Sequence, residues 1–531
     1  MKKIFTMLIA FFTIFGLLSF VSTSANAASQ QKEFQVGMEA AYPPFNWTQD
    51  TAANGAYPIE GSKQFANGYD VQTAKAIAAK LGRKLVIVKS KWDGLIPALT
   101  SGKIDAIIAG MSPTPERAQA INFSQAYETG QMGVIVKKGS QFASSTDIVG
   151  FAGAKITAQQ GTFHYDLIDQ LKGVNKQPAM GDFSAMRVAL SSGVIDGYIA
   201  ERVEGLTATA KEPNFQFIDL SGKGGFTTDP SMMVSSVGLR KNDTADLKII
   251  NSYLKSWSKS NQTILMDKMV KLQSHPDTIN GFWNQVSFIW SQNWKNLIDS
   301  VGMTLLLSII GTIIGFVIGL LIGVFRTMDK NSSAFGRWIH RIIGWVLNIY
   351  IEIFRGTPMM VQAMVIYYGS AQFLHLNIDR LFAAFLIVSI NTGAYMSEIV
   401  RGGIYSVDEG QFEAAHALGF THWQTMYKIV LPQAIRNILP AVGNEFVINI
   451  KDTSVLNVIS VSELYFMGNT IAQQNYQYFQ TFFIISGIYL ILTFSITRIL
   501  RSIEYFLNRT SKTTISREFP ENTTGVNQMR I

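Results

Sequence analysis

Hydrophobic positions divide the chain into two unlike halves. Over residues 29–272 apolar residues come in short runs, such as 85–88, 106–109 and 133–136, each strand-like and separated by helical spacing. Residues 71–81 have the spacing of a helix, closed by Gly82 at the C′ position. Strands alternating with helices predict a mostly parallel sheet with helices on both faces. From Trp294 the runs lengthen. Residues 301–325 carry no charge and are long enough to cross a bilayer. Gly311, Gly315, Gly319 and Gly323 recur every four residues there, lining one helix face so that a neighbour can approach closely. Residues 342–354 contain Glu352 and lie between Arg337, Arg341 and Arg355, which predicts an interfacial or partly buried helix. Further spans are expected at 358–373, 381–400, 437–461 and 479–500, about five in all.

The flanks complete this division. Lys2 and Lys3, an apolar run over 4–21 and Ala25-Asn26-Ala27 make residues 1–28 a signal peptide or N-terminal anchor. An α/β domain fills 29–272. A linker follows over 273–293, with Trp283, Phe288 and Trp290 suited to a membrane interface. The membrane domain covers 294–508 and contains a polar, amphipathic loop at 405–433; a polar, disordered tail covers 509–531.

Charge and composition narrow the function. The net charge of +8 is spread, not clustered. Arg326, Lys330, Arg337, Arg341, Arg498, Arg501 and Arg509 flank apolar runs, as the positive-inside rule requires, so the charge orients the chain in a lipid bilayer and implies no nucleic acid. With residue 295 outside, the odd span count places the 405–433 loop and the C-terminus inside a plasma membrane, and the α/β domain outside the cell. The mean hydropathy of +0.17 fits spans diluted by a soluble domain. Without cysteine there is no disulfide framework, thiol chemistry or cysteine-borne lipid anchor. No GxxxxGK[ST] run occurs, since the Ser-Gly-Lys strings at Lys103 and Lys223 lack the upstream glycine. There is also no metal-ligand cluster and no Ser/His/Asp arrangement. The expectation is a non-enzyme with no catalytic residue, metal or cofactor of its own.

In the α/β domain, Gly37-Met38-Glu39-Ala40-Ala41-Tyr42-Pro43-Pro44-Phe45 is followed by Gly68-Tyr69-Asp70, by Trp92-Asp93-Gly94, and by Gly110-Met111-Ser112-Pro113-Thr114-Pro115-Glu116-Arg117. This succession resembles the periplasmic-type binding proteins for polar amino acids. The resemblance implies an α/β two-lobed periplasmic-binding-protein-like (type II) fold. It assigns the ligand carboxylate to Arg117 with Gly110, Ser112 and Thr162, a guanidinium with N–H and hydroxyl donors. The ammonium falls to Glu201, where the family usually has aspartate. Tyr42 and Trp92 match the aromatic positions that sandwich the ligand side chain. Glu39 matches the position that faces a distal charge, which points to a basic amino acid, with glutamine an alternative. Read alone, Glu39 is also a solvated turn carboxylate, Arg117 a surface partner of Glu116 and Trp92 a core aromatic. His164 reads as a bystander.

In the membrane half, Arg355-Gly356-Thr357-Pro358, the Gly393–Gly402 stretch and Lys451-Asp452-Thr453-Ser454 resemble motifs of polar amino-acid permeases. Glu398, Glu445, Lys451 and Asp452 are charges that line a path or pair internally, with pairing expected for Lys451 and Asp452. Glu413-Ala414-Ala415, Leu418, Gly419 and the Leu431-Pro432 end resemble the EAA loop of ATP-binding-cassette importer permeases. That resemblance implies an all-α transmembrane permease domain of the type I ABC importer kind. Glu413, Ala414, Ala415, Leu418 and Gly419 would dock on a separate ATPase subunit that holds the ATP, and Pro432 would end the loop. The whole reads as a receptor and permease fused in one polypeptide, working as a homodimer. A ligand-gated channel would need a pore filter that is not seen. A receptor-type sensor would need a signalling domain after the last span.

Overall fold

A computed structural model describes residues 32–273, 281–328, 334–475 and 477–518. The signal or anchor segment therefore lies outside the described residues, as do parts of the linker and tail.

The α/β half has two lobes, each built on a five-stranded sheet. In lobe one the order is Lys84–Lys89, Glu33–Met38, Ala106–Ile107, Val234–Leu239, Asn122–Thr129. In lobe two it is Asn175–Lys176, Lys155–Thr157, Gly197–Glu201, Met132–Lys137, Phe215–Asp219. The chain crosses between lobes twice, after Thr129 and again before Val234. Both sheets are mixed, not mostly parallel: each joins two parallel pairs to two antiparallel ones. The antiparallel pairs lie where the chain passes straight from lobe to lobe, without the helical crossover that a parallel neighbour demands. Side chains such as Phe34, Val36, Met38, Ile87, Leu95 and Leu99 are fully buried under the first sheet. Lobe two also buries an ion pair, Arg187 with Glu204 at 2.6 Å, and Tyr198 donates to the same carboxylate. This pair ties helix Phe183–Ser192 to helix Arg202–Lys211.

Three helices of the second half are long and apolar enough to cross a membrane among the described residues: Phe282–Thr327, Arg380–Tyr405 and Tyr478–Phe506. The expected spans at 358–373 and 437–461 are largely helical, over Met359–Leu374 and over Leu431–Asp452 followed by the 3-10 stretch Thr453–Ile459, but do not reach that length and hydropathy together. The expected linker is partly absorbed: residues 282–293 are the first turns of a 46-residue helix. No proline or glycine interrupts them, and extending a helix is easier than starting one. For the same reason the last helix continues to Glu518, through residues expected to be tail. The stretch at 342–354 belongs to a longer helix, Ala334–Gly356, whose one buried side chain is Ile351.

Glycine at every fourth position works as its spacing suggests. Gly311, Gly315, Gly319 and Gly323 lie against Val388, Thr392, Met396 and Val400, four residues apart on Arg380–Tyr405. A β-carbon on Gly319 would sit 2.4 Å from that of Met396. Thr392 and Thr312 both bond to Asn449 across three helices. Glu398 pairs with Arg326 and with Arg401. Lys451 and Asp452 close helix Leu431–Asp452.

Candidate functional site

All eight residues assigned to the ligand converge on one cleft between the lobes. Its lining contains Glu39, Tyr42, Trp92, Gly110, Ser112, Arg117, Thr162 and Glu201. Local structure explains each position. Glu39 directly follows the first strand, and Tyr42 precedes a cis Pro43–Pro44 peptide. Trp92 opens helix Trp92–Thr100. Gly110 has φ +63°, a conformation that favours glycine. Arg117 sits on a short helix capped by Thr114. From the other lobe, Glu201 ends strand Gly197–Glu201. Thr162 precedes a helix of four residues and donates its hydroxyl to the Gln159 carbonyl at 2.7 Å.

Arg117 spans the cleft. It donates to the Ser112 carbonyl at 2.9 Å on its own lobe and to the Gly161 carbonyl at 2.8 Å on the other. Its guanidinium lies 5.0 Å from the Trp92 ring centre. Burial lowers its pKa to about 10, with Glu116 opposing. Tyr42 is stacked on both faces, by Phe45 at 5.1 Å and by Phe183 of lobe two at 4.7 Å.

The cleft also sinks carboxyl groups. Burial, with Asp182 and Asp93 adding repulsion, pushes Glu39 up to about 8, while a hydrogen bond with Gln159 opposes the rise. Burial first, then Glu128 and Asp70, pushes Glu201 up to about 8 as well. Its Oε2 has no hydrogen-bond partner. Glu39 is thus not a solvated turn carboxylate. The cavity amounts to about 20 Å³, near the space that one water needs, so the lobes must part to admit anything larger.

Four lining residues lie outside the set that the sequence points to: Gln159, Phe163, His164 and Phe183. His164 is buried with both ring nitrogens unpartnered, and burial with the Arg117 charge lowers its pKa to about 3. Its position two residues after Thr162 is the available signal. Phe183 carries none, since it begins a helix far along the chain.

The 405–433 loop folds as helix Glu409–Ala417, a turn, and a short helix His422–Thr425 that starts in a Thr421/Gln424 capping box. Gly419 has φ +78°, and nothing lies within 4 Å of the point where a β-carbon would stand, so it turns the chain and leaves an open corner. Glu413, Ala414, Leu418 and Gly419 are exposed, Leu418 at 76%. Ala415 is buried instead, facing the second helix, and is not part of an exposed knob. Pro432 does not end the loop: a π-helical turn, Met426–Val430, carries the backbone into Leu431–Asp452 with the proline in the first turn. The missing N–H of a proline costs nothing there.

Residues 34–268 match the bacterial extracellular solute-binding proteins, family 3. Residues 332–507 match the binding-protein-dependent transport system inner membrane component. The glutamine transport system permease protein GlnP of Escherichia coli (strain K12) is 40% identical over 223 residues, 41% of this chain and 97% of that protein. The arginine transport system permease protein ArtQ of Bacillus subtilis (strain 168) is 37% identical over 160 residues, 30% of this chain and 73% of that protein. An arginine-bound amino acid ABC transporter substrate-binding protein, AbpA of Streptococcus pneumoniae, is 23% identical with a TM-score of 0.39, over 46% of this chain and 96% of that one.

Proposed function

We propose that this chain, which belongs to the binding-protein-dependent transport system inner membrane components and carries a solute-binding domain on the same polypeptide, captures an amino acid outside the cell and passes it inward. The observation that carries the reading is the cleft: eight residues from both lobes converge on one small, buried space. Arg117 is placed for a carboxylate, with Gly110, Ser112 and Thr162 beside it. Glu201, with an unpartnered oxygen, is placed for an ammonium. A bound zwitterion would give both buried groups the opposite charge that each lacks. Two relatives bear the names of glutamine and arginine systems, and Glu39 suits both kinds of cargo. As a neutral carboxyl it can donate to an amide oxygen; ionised, it can face a guanidinium.

The chain lacks an ATP-binding loop, so energy comes from an ATP-binding-cassette subunit docked at Glu413, Ala414, Leu418 and Gly419. The assembly we propose pairs two copies of the chain with two such subunits in a plasma membrane. No catalytic residue, metal or cofactor is assigned to the chain itself. The test is a melting screen of the purified full chain with each of the twenty amino acids. One or a few, among arginine, lysine, histidine and glutamine, should raise the receptor's melting temperature, and Arg117→Ala should remove that rise. No rise with any amino acid refutes the reading.

A further inference from the structure

The receptor meets the permease through both lobes, but the two attachments differ in kind. Lobe one is held at several points. Lys103 donates to Asn377 Oδ1 at 2.7 Å and to the Ile378 carbonyl at 2.6 Å. Lys89 donates to Thr470 at 2.7 Å and lies over the Phe466 ring. Gln474 donates to the Thr48 carbonyl, and Arg380 faces Glu60 at 3.5 Å. Lobe two is reached by Tyr478, whose hydroxyl donates to Asp182 Oδ1 at 3.1 Å. Tyr478 begins the last helix, just after helix Leu464–Asn475 that carries Thr470 and Gln474. One corner of the permease therefore touches both lobes.

Asp182 is more than a surface acceptor. The same oxygen accepts from the Ala185 N–H at 2.8 Å and caps helix Phe183–Ser192. The next residue, Phe183, is the ring that stacks on Tyr42 across the cleft. Tyr478 thus grips the end of the helix that closes the cleft wall.

Two-lobed receptors open by hinge rotation of one lobe against the other. Lobe one's anchors lie on one rigid body and survive such a rotation; the Tyr478–Asp182 bond joins the permease to the body that swings. We propose that Tyr478 is a positioning residue through which the permease distinguishes a closed receptor from an open one, holding lobe two only when the cleft wall is in place. The inference rests on the import reading above for its purpose. Its route inward is physical: helix Tyr478–Glu518 packs on Leu431–Asp452, which continues from the ATPase-facing loop.

The absence of cysteine makes the test direct, because only introduced cysteines take the label; mixing with an excess of unlabelled cysteine-free chain keeps each pair within one copy. In full chains in lipid nanodiscs, with no amino acid added, one label pair at Lys172 and Ser291 reports lobe two against the permease. A second pair at Lys80 and Ser291 reports lobe one. Tyr478→Phe should lower the docked-to-undocked ratio of lobe two roughly tenfold, the scale of one hydrogen bond to a charged group, with lobe one unmoved. Asp182→Asn, which keeps a helix-capping side chain, should lower it less. The double variant should be no worse than Tyr478→Phe alone, because both changes remove one interaction. An unshifted lobe two, a simultaneous release of lobe one, or additive effects of the two changes would each overturn the proposal. These distances are read without ligand, so failure of the import reading shows separately, in the twenty-amino-acid screen.

Discussion

Receptor and permease bury polar groups in opposite ways. The receptor gathers ionisable groups: the buried pair Arg187 and Glu204 in lobe two, and Arg117, Glu39 and Glu201 in the cleft. The permease sinks mostly small neutral groups, glycine against Val388 to Val400 and Thr312, Thr392 and Asn449 in one network, and its buried Glu463 carboxyl is met by the Tyr465 and Phe466 N–H groups and the Tyr489 hydroxyl. Its Glu398 stays 22% exposed between two arginines. The difference follows from what each half must do. A buried charge is costly unless matched, and the cleft holds two carboxyls and a guanidinium side by side. Helices in a bilayer gain no hydrophobic drive by meeting, so close backbone approach and neutral hydrogen bonds hold them.

That contrast makes graded predictions. The largest effect should come from Arg187→Ala, which strands the fully buried Glu204 carboxylate. The receptor's melting transition should lose about 3–5 kcal/mol, and the permease's should not move. Next, Gly319→Val would drive a side chain into Met396 and destabilise the permease by about 1–3 kcal/mol, read as its thermal transition in detergent, with the receptor's unchanged. If either substitution lowered both transitions together, the halves would unfold as one and the contrast would not be one of separate solutions. The third effect is graded by pH. Glu201 has a pKa of about 8 when folded against 4.5 when exposed. Between those values the folded chain keeps a proton that the unfolded chain has lost, so this group's contribution falls as pH rises, by at most about 1.4 kcal/mol per unit. His164, lowered to about 3, acts with the opposite sign below its ordinary 6.5. The stability difference between wild type and Glu201→Gln isolates the glutamate: it should fall from pH 5 to 8 and level off above.

The halves also differ in how far their sequences can be read. In the receptor, Gly110, Arg117 and Trp92 sit in short ordered motifs, and each motif lands at a strand or helix end facing the cleft. Phe183 is invisible because it reaches the cleft by tertiary packing from the opposite lobe, with no local pattern to mark it. Sheet direction is misleading because strand-helix alternation does not show where a strand leaves its own lobe. In the permease, glycine spacing names both the helix face and its need for a close neighbour, but not which neighbour. Helix ends are least legible: residues 282–293 mix aromatic with polar side chains and 511–518 are polar, yet both extend helices already nucleated by apolar ones. Ala415 shows the same limit, since which side of the loop helix is covered is decided by tertiary packing.

Gln273, the end of the receptor's last helix, and Phe282, the start of the first permease helix, are nine residues apart. Such a stretch spans at most about 32 Å. A receptor on so short a lead meets its permease at an effective concentration on the order of millimolar, however few copies the cell makes. Encounter becomes a first-order event. Contacts as modest as Lys103 on Asn377 or Tyr478 on Asp182 are then enough to dock it, and weak enough to let it go after each delivery. Covalent tethering also settles a question of competition: rival receptors carrying other cargo would have to displace a neighbour that is never more than a few nanometres away.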